Sequence, residues 1–391
     1  MKKHSILKTA FVSVLFLGLL ACEKQVDTAP AIANCNLTTN NHPNAAKYQR
    51  IADKFLAAGA VGVSINIKSP EGTWSVAKGK ADLATDADLT PCHSLRMGSI
   101  SKIFASVMIL KLQEQGKLNI NDKAADYLPA EYVKNIANLD KATIRDLLQH
   151  TSGVPEYLGI NQMLKIGNLS VVKRSAAESI KTVYGKKAQF EVGKSWSYAN
   201  SNYLLIALII ENVTKKPAYE AITEQIIKPL NLTNTYASTT LPANMSRGFY
   251  DSFNNGIMRD NTLIDNNAVG GQDMLDGGLI SNPSDLSTFI EALKTGKVIS
   301  AQSLAEMEAP ANVPVPDLPE EFSYIKNYGL GLFLLEFDGE KAIGHAGNVQ
   351  SFNCLSYYFP EKKLAISIML NSYSKKLQTA LFNKETVKLA L

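Results

Sequence analysis

The sequence has few of the residues from which metal sites and disulfide frameworks are built. Its 391 residues include only four cysteines and five histidines, and the histidines are scattered along the chain. No Cys or His cluster has the spacing of a zinc site, and the motif His-Glu-x-x-His does not occur. These shortages argue against a zinc enzyme and against a small scaffold held by disulfides.

An excess of charge of one sign is also missing. The formal net charge is +4, and subtracting the three lysines of the first eight residues (Lys2, Lys3 and Lys8) leaves +1. There is no basic tract and no interleaving of basic with aromatic residues. We therefore expect no nucleic acid or other polyanion as a partner. The composition, 46% hydrophobic and 19% charged, is ordinary for a globular protein.

The start of the chain predicts export. The charged residues Lys2 and Lys3 precede an apolar segment, 6–20, that is too short to be a stable membrane-spanning helix. Residues 1–21 are therefore predicted to be a signal peptide. The following Cys22 ends the run Leu-Leu-Ala-Cys, which resembles the lipobox of bacterial lipoproteins and predicts lipid modification of that cysteine. The alternative is a plain secretory signal with a chance cysteine.

A polar segment and one large domain follow the signal. Residues 22–42 are rich in Asn, Thr, Ala and Pro and are predicted to be a flexible tether, and 43–391 are predicted to be the functional domain. We expect a protein of the bacterial cell envelope that contacts the membrane only through its lipid anchor.

The three remaining cysteines do not make a complete disulfide framework. Cys35 lies in the tether and Cys92 in a loop, so a bridge between them is possible, and the sequence leaves it open. Cys354 lies in an apolar strand pattern and is predicted to be a core residue.

The chemistry of the chain is predicted to centre on Ser99 and Lys102. They precede a long apolar-periodic run, 103–112, that is typical of a buried helix. Residues three apart share a helix face, so the hydroxyl and the amine can meet, and a neutral amine can accept the proton of the serine. The Ser-x-x-Lys pattern occurs six times in this chain, so its place at the start of a buried helix distinguishes this copy.

A second polar motif, Tyr198-Ala-Asn200, immediately precedes another buried helix. It is the only Tyr-x-Asn among fifteen tyrosines. A phenol there can share a proton with Ser99, and the amide of Asn200 can hold a substrate carbonyl. By itself the motif would fit an interface tyrosine followed by a capping asparagine.

A third motif has two candidates. Lys294-Thr-Gly296 has the letters that accompany Ser-x-x-Lys, but its lysine and glycine occupy positions typical of a helix C-terminus. His345-Ala-Gly347 lies instead within a series of predicted strands, where a residue bordering a cleft is expected. We choose His345.

One further histidine, His150, is a candidate for a catalytic base. His150 follows a short predicted helix that begins with a capping box of Thr143 and Asp146. A structural histidine near a helix C-terminus is the better interpretation.

Taken together and in this chain order, the three motifs resemble the serine β-lactamase superfamily. The likeness extends over about residues 45–371 and is strongest to the branch of class C β-lactamases, DD-carboxypeptidases and related esterases. Supporting stretches are Leu-Leu-Gln-His-Thr-Ser-Gly at 147–153, Phe-x-x-Gly-x-x-Trp-x-Tyr at 190–198 and Gly-Gly-Leu at 277–279.

The resemblance implies a β-lactamase/transpeptidase-like α/β sandwich. In that fold an antiparallel sheet has helices on both faces and lies beside an all-helical lobe. Independently, an early hairpin and late strands predict a sheet, and the middle of the chain predicts helix and loop. The sheet lobe is expected over about 43–98 and 277–391, and the helical lobe over about 99–276.

The resemblance also assigns roles. Ser99 would be the nucleophile, and Lys102 and Tyr198 would form its proton relay, for which both need pKa values below the ordinary ones of about 10.4 and 10. Asn200 would orient the substrate amide. Ser99 would supply one backbone N–H of the oxyanion hole.

Strand residues would complete the predicted site. His345, with Gly347, would occupy the cationic position that binds a substrate carboxylate, and the backbone N–H of Asn348 would supply the second donor of the oxyanion hole. Class C β-lactamases usually have lysine in place of His345. A histidine with a pKa near 6.5 is mostly neutral at pH 7, so we expect weaker capture of a carboxylate and more activity as the pH falls toward 6.

We therefore predict an envelope serine hydrolase of DD-peptidase or esterase type that works through an acyl-enzyme, without cofactor or metal, and is a monomer. Its substrate would be a D-amino-acid peptide, an ester or a β-lactam. Two alternatives stay open: a true β-lactamase, and a catalytically inactive penicillin-binding sensor.

Overall fold

An antiparallel sheet is the centre of the fold. The structure is a computed structural model that describes residues 29–32, 34–39, 41–159, 173–316 and 320–391, so the signal peptide and Cys22 lie outside the described residues. The strands are β1 (Gly62–Ser69), β2 (Gly72–Asp82), β3 (Ala87–Asp88), β4 (Leu95–Arg96), β5 (Phe249–Tyr250), β6 (Arg259–Asp260), β7 (Ile280–Ser281), β8 (Ile325–Tyr328), β9 (Phe333–Phe337), β10 (Glu340–Val349), β11 (Phe352–Phe359), β12 (Leu364–Leu370) and β13 (Ser372–Tyr373).

Eight of these strands form the large sheet, in the order β3-β2-β1-β12-β11-β10-β9-β8. The first and last parts of the chain meet in its middle, where β1 pairs with β12 and Val63 lies opposite Leu370. Beside them, β10 pairs with β11 so that Gly347 lies opposite Cys354. Every residue of β11 and β12 is buried, because both faces of the sheet are covered.

The helices lie on both faces of the sheet and in a separate lobe. They are α1 (Ala45–Ala57), α2 (Ser101–Glu114), α3 (Ala130–Asn135), α4 (Ile144–Gln149), α5 (Ala176–Ile180), α6 (Asn200–Thr214), α7 (Ala218–Ile222), α8 (Thr262–Val269), α9 (Pro283–Lys294), α10 (Ala301–Glu308), α11 (Lys375–Phe382) and α12 (Lys384–Lys388). Within the described residues, short 3₁₀ turns and one π turn connect some of them.

The sheet separates two hydrophobic cores. On one face, Ile51 and Phe55 of α1 and Leu377 of α11 pack against inward side chains of the sheet such as Ile65. On the other face, Phe289 of α9 stacks on Phe104 of α2, with ring centroids 3.8 Å apart. The second core therefore joins the sheet to the helical lobe.

Two nearly uniformly apolar helices form the middle of the helical lobe. Residues 101–110 of α2 and 201–210 of α6 are all buried, which matches their lack of a polar face. Two of the polar positions that do occur in them, Lys102 and Asn200, have specific hydrogen-bond partners and belong to the candidate site.

The predicted fold class is confirmed, and several elements are confirmed with it. The hairpin, the capping box of Thr143 and Asp146, and the helix end at Lys294 and Gly296 are as expected. The Lys-Thr-Gly sequence is a helix terminus, because Lys294 is the last residue of α9. The Lys294 amine pairs with Glu308. Cys354 is a buried core residue, also as predicted.

Three expectations were wrong in detail. The final amphipathic helix is two helices, because Asn383 is extended and its side chain accepts a hydrogen bond from the Glu385 N–H to begin α12. Part of the predicted tether is attached to the domain: Cys35 is bonded to Cys92, and Thr39 pairs with Ser75.

The third difference concerns the predicted lobe boundary. The short strands β5 and β6 fall in the range 99–276 that was assigned to the helical lobe, yet β5 pairs with β13 at the far end of the chain. In the described residues, no helix is both long enough and apolar enough to cross a membrane.

Candidate active site

Ser99 lies in a 3₁₀ turn, Gly98–Ile100, that leads directly into α2. The turn requires a glycine, because Gly98 has φ +51° and a Cβ there would lie 2.7 Å from the backbone nitrogen of Asn348. The hydroxyl of Ser101 fastens the turn by donating to the Gly98 carbonyl at 2.7 Å and accepting from the Leu279 N–H at 3.2 Å. Ser99 itself stays partly exposed.

The Lys102 amine lies beside the nucleophile and is completely buried. Its Nζ donates to Ser99 Oγ at 2.9 Å, to Asn200 Oδ1 at 2.9 Å and to the carbonyl oxygen of Asp276 at 2.6 Å. Burial lowers the pKa of Lys102 to about 8, against the opposing effects of the carboxylates of Asp276 and Glu156. The direction agrees with the prediction for the proton relay.

The neutral form of Lys102 has a natural place in this geometry. A neutral amine keeps two N–H donors, which match the oxygens of Asn200 and Asp276, and gains one lone pair. That lone pair can accept the O–H of Ser99 at the same 2.9 Å separation. Lys102 is therefore positioned to act as a base once it has lost its proton.

The Tyr198 phenol is buried in the same site, but its protonation differs from the expectation. Burial raises its pKa well above 10, and an interaction with Ser99 only partly opposes this rise. Among the described residues its hydroxyl meets no partner at hydrogen-bonding geometry, and the Lys102 Nζ lies 4.8 Å from its ring centroid. The expected low pKa was wrong, since desolvation outweighs the interaction with Ser99, so Tyr198 is a proton donor in the resting site.

Asn200 is the first residue of α6 and connects Lys102 to a carboxylate that the sequence analysis missed. The Asn200 Oδ1 accepts from Lys102, while its backbone N–H and its Nδ2 donate to Glu156 Oε2 at 2.5 and 3.4 Å. The other oxygen of Glu156 accepts from the Leu158 N–H at 2.7 Å. Burial raises the pKa of Glu156.

A second missed carboxylate, Asp276, lies behind Lys102. It is completely buried, and its Oδ2 accepts a 2.6 Å hydrogen bond from the hydroxyl of Tyr157. Burial raises the pKa of Asp276, and the Lys102 charge opposes this. Glu156 comes just after the Thr-Ser-Gly of 151–153, and Asp276 comes just before Gly277. These positions were the only sequence signal for the two acids.

His345 is buried on β10, where it contacts the rings of Phe333 and Tyr328. Its Nδ1 donates to the carbonyl of Ala346, so its Nε2 accepts from the Tyr328 hydroxyl at 3.2 Å. Burial, with a smaller contribution from the Lys102 charge, lowers the pKa of His345 to about 3. The expected titration near pH 6 was wrong: the imidazole is neutral throughout the physiological range and is not a cation.

The strand that carries His345 runs close against the nucleophile turn. A Cβ at Gly347 would lie 2.0 Å from the Met97 carbonyl oxygen, so only glycine permits this approach. The next residue, Asn348, is held by a 2.7 Å hydrogen bond from its Nδ2 to Asn353 Oδ1. Its backbone nitrogen faces the turn of Gly98, which agrees with the predicted place of an oxyanion-hole donor.

His150 fits the structural interpretation. It is completely buried, has φ +63° at the end of α4, and its Nδ1 accepts from the Ala199 N–H and from Asn202 Nδ2, each at 3.1 Å. Its ring lies 4.3 Å from that of Tyr198, centroid to centroid. His150 therefore fixes the backbone beside the phenol.

The structure thus brings Ser99, Lys102, Tyr198 and Asn200 together, with His345, Gly347 and Asn348 on the bordering strand. Within the described ranges, no group of three or more His, Cys, Asp or Glu side chains could hold a metal ion. The arrangement contains an accessible hydroxyl, a buried amine that loses its proton near pH 8, and a protonated phenol. These are the parts needed to transfer an acyl group to a serine.

Comparison with curated proteins shows distant relatives of greater length. Protein flp of Staphylococcus aureus (strain MRSA252) is 23% identical over 303 residues, which are 76% of this chain and 56% of that protein. The matches to flp of strains COL and N315 are 31% identical over 159 residues and cover 30% of those proteins. The chain therefore spans about half, or less, of the length of these relatives.

Solved structures share the fold over most of their length. A D-stereospecific amidohydrolase from Streptomyces sp. has a TM-score of 0.73 and 25% identity, with 86% of this chain and 98% of that chain covered. The D-amino acid amidase from Ochrobactrum anthropi SV3, solved with D-phenylalanine, has a TM-score of 0.74 and 23% identity, with 88% and 97% covered. The family described as Beta-lactamase matches residues 49–383. Because this match covers most of the chain, the chain belongs to the beta-lactamase family.

Proposed function

We propose that the chain is a serine hydrolase that cleaves amides or esters through an acyl-enzyme on Ser99, and that it is of amidase, DD-peptidase or esterase type. The observation that carries the proposal is the 2.9 Å contact between Ser99 Oγ and a completely buried Lys102, whose pKa is lowered to about 8. A lysine that loses its proton near neutral pH can take the proton of a serine hydroxyl, for which water is too weak a base.

The geometry supports the following course of acylation. Neutral Lys102 accepts the Ser99 proton as Oγ attacks the substrate carbonyl carbon. The oxyanion that forms accepts hydrogen bonds from the backbone N–H groups of Ser99 and Asn348. Tyr198 gives its proton to the leaving nitrogen or oxygen and recovers one from the protonated Lys102. Water then attacks the acyl-enzyme, and the same groups carry the protons in reverse.

The environment of His345 favours substrates without a carboxylate. The neutral imidazole already accepts from Tyr328 and donates to Ala346, so it offers no positive charge to a carboxylate. Within the proposed range this supports the amidase and esterase types first, and it ranks β-lactams and the carboxylate-ending peptides of a DD-peptidase below them. The structural likeness to a D-amino acid amidase and a D-stereospecific amidohydrolase supports the same substrate class.

A hydrolysis panel tests the proposal. It would contain D- and L-amino-acid amides, p-nitrophenyl esters, D-Ala-D-Ala peptides and nitrocefin, with Ser99→Ala as the control. We expect turnover of amides and esters that Ser99→Ala abolishes. Failure of the intact protein to turn over any of these compounds would contradict the proposal.

The two alternatives have their own signatures. Mass spectrometry after penicillin treatment would detect a β-lactam adduct on Ser99. An adduct that is rapidly lost, with turnover of nitrocefin, would identify a β-lactamase. An adduct that persists in a protein with no hydrolytic activity would identify a penicillin-binding sensor.

The location remains part of the proposal. The run that ends at Cys22 supports a lipid-anchored protein of the bacterial envelope. Labelled palmitate should be incorporated into the full chain, and Cys22→Ser should prevent this. Size-exclusion chromatography with light scattering of a lipid-free form tests the expected monomer.

A further inference from the structure

We propose that Glu156 binds a free ammonium group next to the scissile carbonyl, so that the preferred substrates are amides or esters of amino acids with an unblocked amino group. This assignment rests on the proposed function and deepens it by naming the acyl group. It depends on the position of Glu156, on its unused hydrogen-bonding capacity and on the charge balance of the site.

Position is the first argument. Glu156 Oε2 lies 3.4 Å from Asn200 Nδ2, the same Asn200 side chain lies 2.9 Å from Lys102 Nζ, and that amine lies 2.9 Å from Ser99 Oγ. The carboxylate is thus in the same continuous polar cluster as the nucleophile. Unlike Asp276, which is buried, Glu156 keeps part of its surface exposed.

The required distance is short. In an amino-acid amide the nitrogen is separated from the carbonyl carbon by two bonds of about 1.5 Å each. A group that binds this nitrogen must therefore belong to the polar cluster around the nucleophile and cannot be a distant surface residue. Glu156 is the partly exposed carboxylate of that cluster, and Asn200 and Lys102 link it to Ser99.

Hydrogen-bonding capacity is the second argument. A carboxylate has about four acceptor positions, and Glu156 receives the N–H groups of Leu158 and Asn200 together with the longer contact from Asn200 Nδ2. These donors are neutral. No Lys, Arg or His of the described residues forms an ion pair with Glu156, whereas Lys102 directs its three contacts elsewhere. A cationic donor would satisfy the remaining position.

Charge balance is the third argument. When Lys102 is neutral and ready to act as a base, the carboxylates of Glu156 and Asp276 remain without a compensating cation, since His345 is neutral. A substrate ammonium would restore the balance. It would also place a positive charge near Lys102, which disfavours protonation of the amine and so enlarges the fraction of enzyme in the reactive form.

The experiment compares two substrates that differ only in the amino group. Phenylalanine p-nitroanilide, as both enantiomers, and 3-phenylpropanoyl p-nitroanilide would be measured with the wild type, with Glu156→Gln and with Glu131→Gln. Glu131 is an exposed acid paired with Lys181, so its variant makes the same change in charge away from the site.

We expect the wild type to prefer the better phenylalanine enantiomer over the substrate without an amino group by at least about tenfold in kcat/KM. Glu156→Gln should lose about 10- to 100-fold on the ammonium substrate and less than about threefold on the other, as expected for the removal of one partner of a charge pair. Glu131→Gln should retain the preference. Equal losses on both substrates would show that Glu156 acts only on the fold or on Lys102 and would overturn the assignment.

A measurement on the wild type alone gives a second test that does not depend on the folding of a variant. For the ammonium substrate the acid limb of kcat should lie at lower pH than that of 3-phenylpropanoyl p-nitroanilide, because the bound charge lowers the pKa of Lys102. Equal rates on both substrates, or coincident limbs, would overturn the role of Glu156 and leave the proposed function standing. Failure to cleave either compound while the esters of the hydrolysis panel are turned over would overturn the role of Glu156 alone, and failure on the whole panel as well would overturn both.

Discussion

Tyr157 donates a 2.6 Å hydrogen bond to the side chain of Asp276, and the backbone carbonyl of the same aspartate accepts the 2.6 Å hydrogen bond of Lys102. Asp276 thus orients Lys102 through its backbone carbonyl and places a negative charge near Lys102 through its side chain. The two roles can be separated, because a substitution of the side chain leaves the carbonyl in place.

Asp276→Asn should move the acid limb of activity to lower pH. The Asp276 carboxylate favours the protonated form of Lys102 and so raises its pKa against the larger lowering effect of burial. Removal of the negative charge therefore lowers this pKa further, and the base becomes active at lower pH. The measurement is kcat/KM against pH with an uncharged ester, and Tyr157→Phe should shift the limb less. A shift to higher pH in Asp276→Asn would contradict the coupling.

The pH dependence of the wild type should be set by Lys102 and not by His345. The pKa of the lysine is about 8, so its reactive neutral form increases as the pH rises through 8, and below this value kcat/KM should fall about tenfold per pH unit. His345, with a pKa of about 3, contributes no change between pH 5 and 9. An uncharged ester avoids the titration of the substrate itself. Activity that increases as the pH falls from 8 to 6 would refute both assignments.

Tyr198→Phe should distinguish a proton donor from a base. The raised pKa of the phenol makes it the acid that protonates a leaving amine. Amide hydrolysis should therefore fall by about 10²- to 10⁴-fold, whereas p-nitrophenyl esters, whose leaving group needs no proton, should lose far less. The two substrate types would be compared in one preparation, with circular dichroism as the check on folding. Equal losses would instead indicate that Tyr198 accepts the Ser99 proton.

The site was predictable from the sequence where its geometry is local or its motif is unusual. Ser99 and Lys102 lie three residues apart at the start of a helix, so their contact follows from helix geometry. Tyr198 and His345 were located by motif and by chain order. The fold class followed from the placement of an early hairpin and late strands around a helical middle.

The features of the site that the sequence did not predict depend on burial and on contacts between distant parts of the chain. The sequence gives no measure of desolvation, which holds the phenol of Tyr198 protonated and the imidazole of His345 neutral. Glu156 meets Asn200 across 44 positions and Asp276 meets Tyr157 across 119, and no local pattern marks these pairs. The break at Asn383 was hidden because the apolar periodicity continues through it.

The disulfide should stabilise the folded domain by constraining the segment before α1. Cys35 and Cys92 are separated by 57 residues, and a loop of this length corresponds to about 4 kcal/mol in the chain-entropy model. Reduction, or the pair Cys35→Ser and Cys92→Ser, should lower the midpoint of guanidinium unfolding accordingly. An unchanged midpoint would mean that the segment contributes nothing to the stability of the domain.

Gly347→Ala should disrupt the contact between β10 and the nucleophile turn. The added Cβ would lie 2.0 Å from the Met97 carbonyl oxygen and 2.8 Å from Cys354 Sγ, so the strand must move away. We expect a loss of about 1–3 kcal/mol in the free energy of unfolding, as for other overpacked positions. Because the strand also carries the backbone nitrogen of Asn348, acylation of Ser99 should slow by more than the loss of folded protein explains.

Gly159→Ala is the matched control, since no atom of the described residues lies within 4 Å of a Cβ at that position. Denaturant unfolding and the rate of formation of a penicillin adduct on Ser99 would be measured for both variants. If Gly347→Ala acylates as fast as Gly159→Ala while it is equally folded, the N–H of Asn348 is not part of the oxyanion hole. If Gly347→Ala is fully folded but acylates more slowly, the close approach at Gly347 holds the Asn348 N–H at the place where negative charge develops in the transition state.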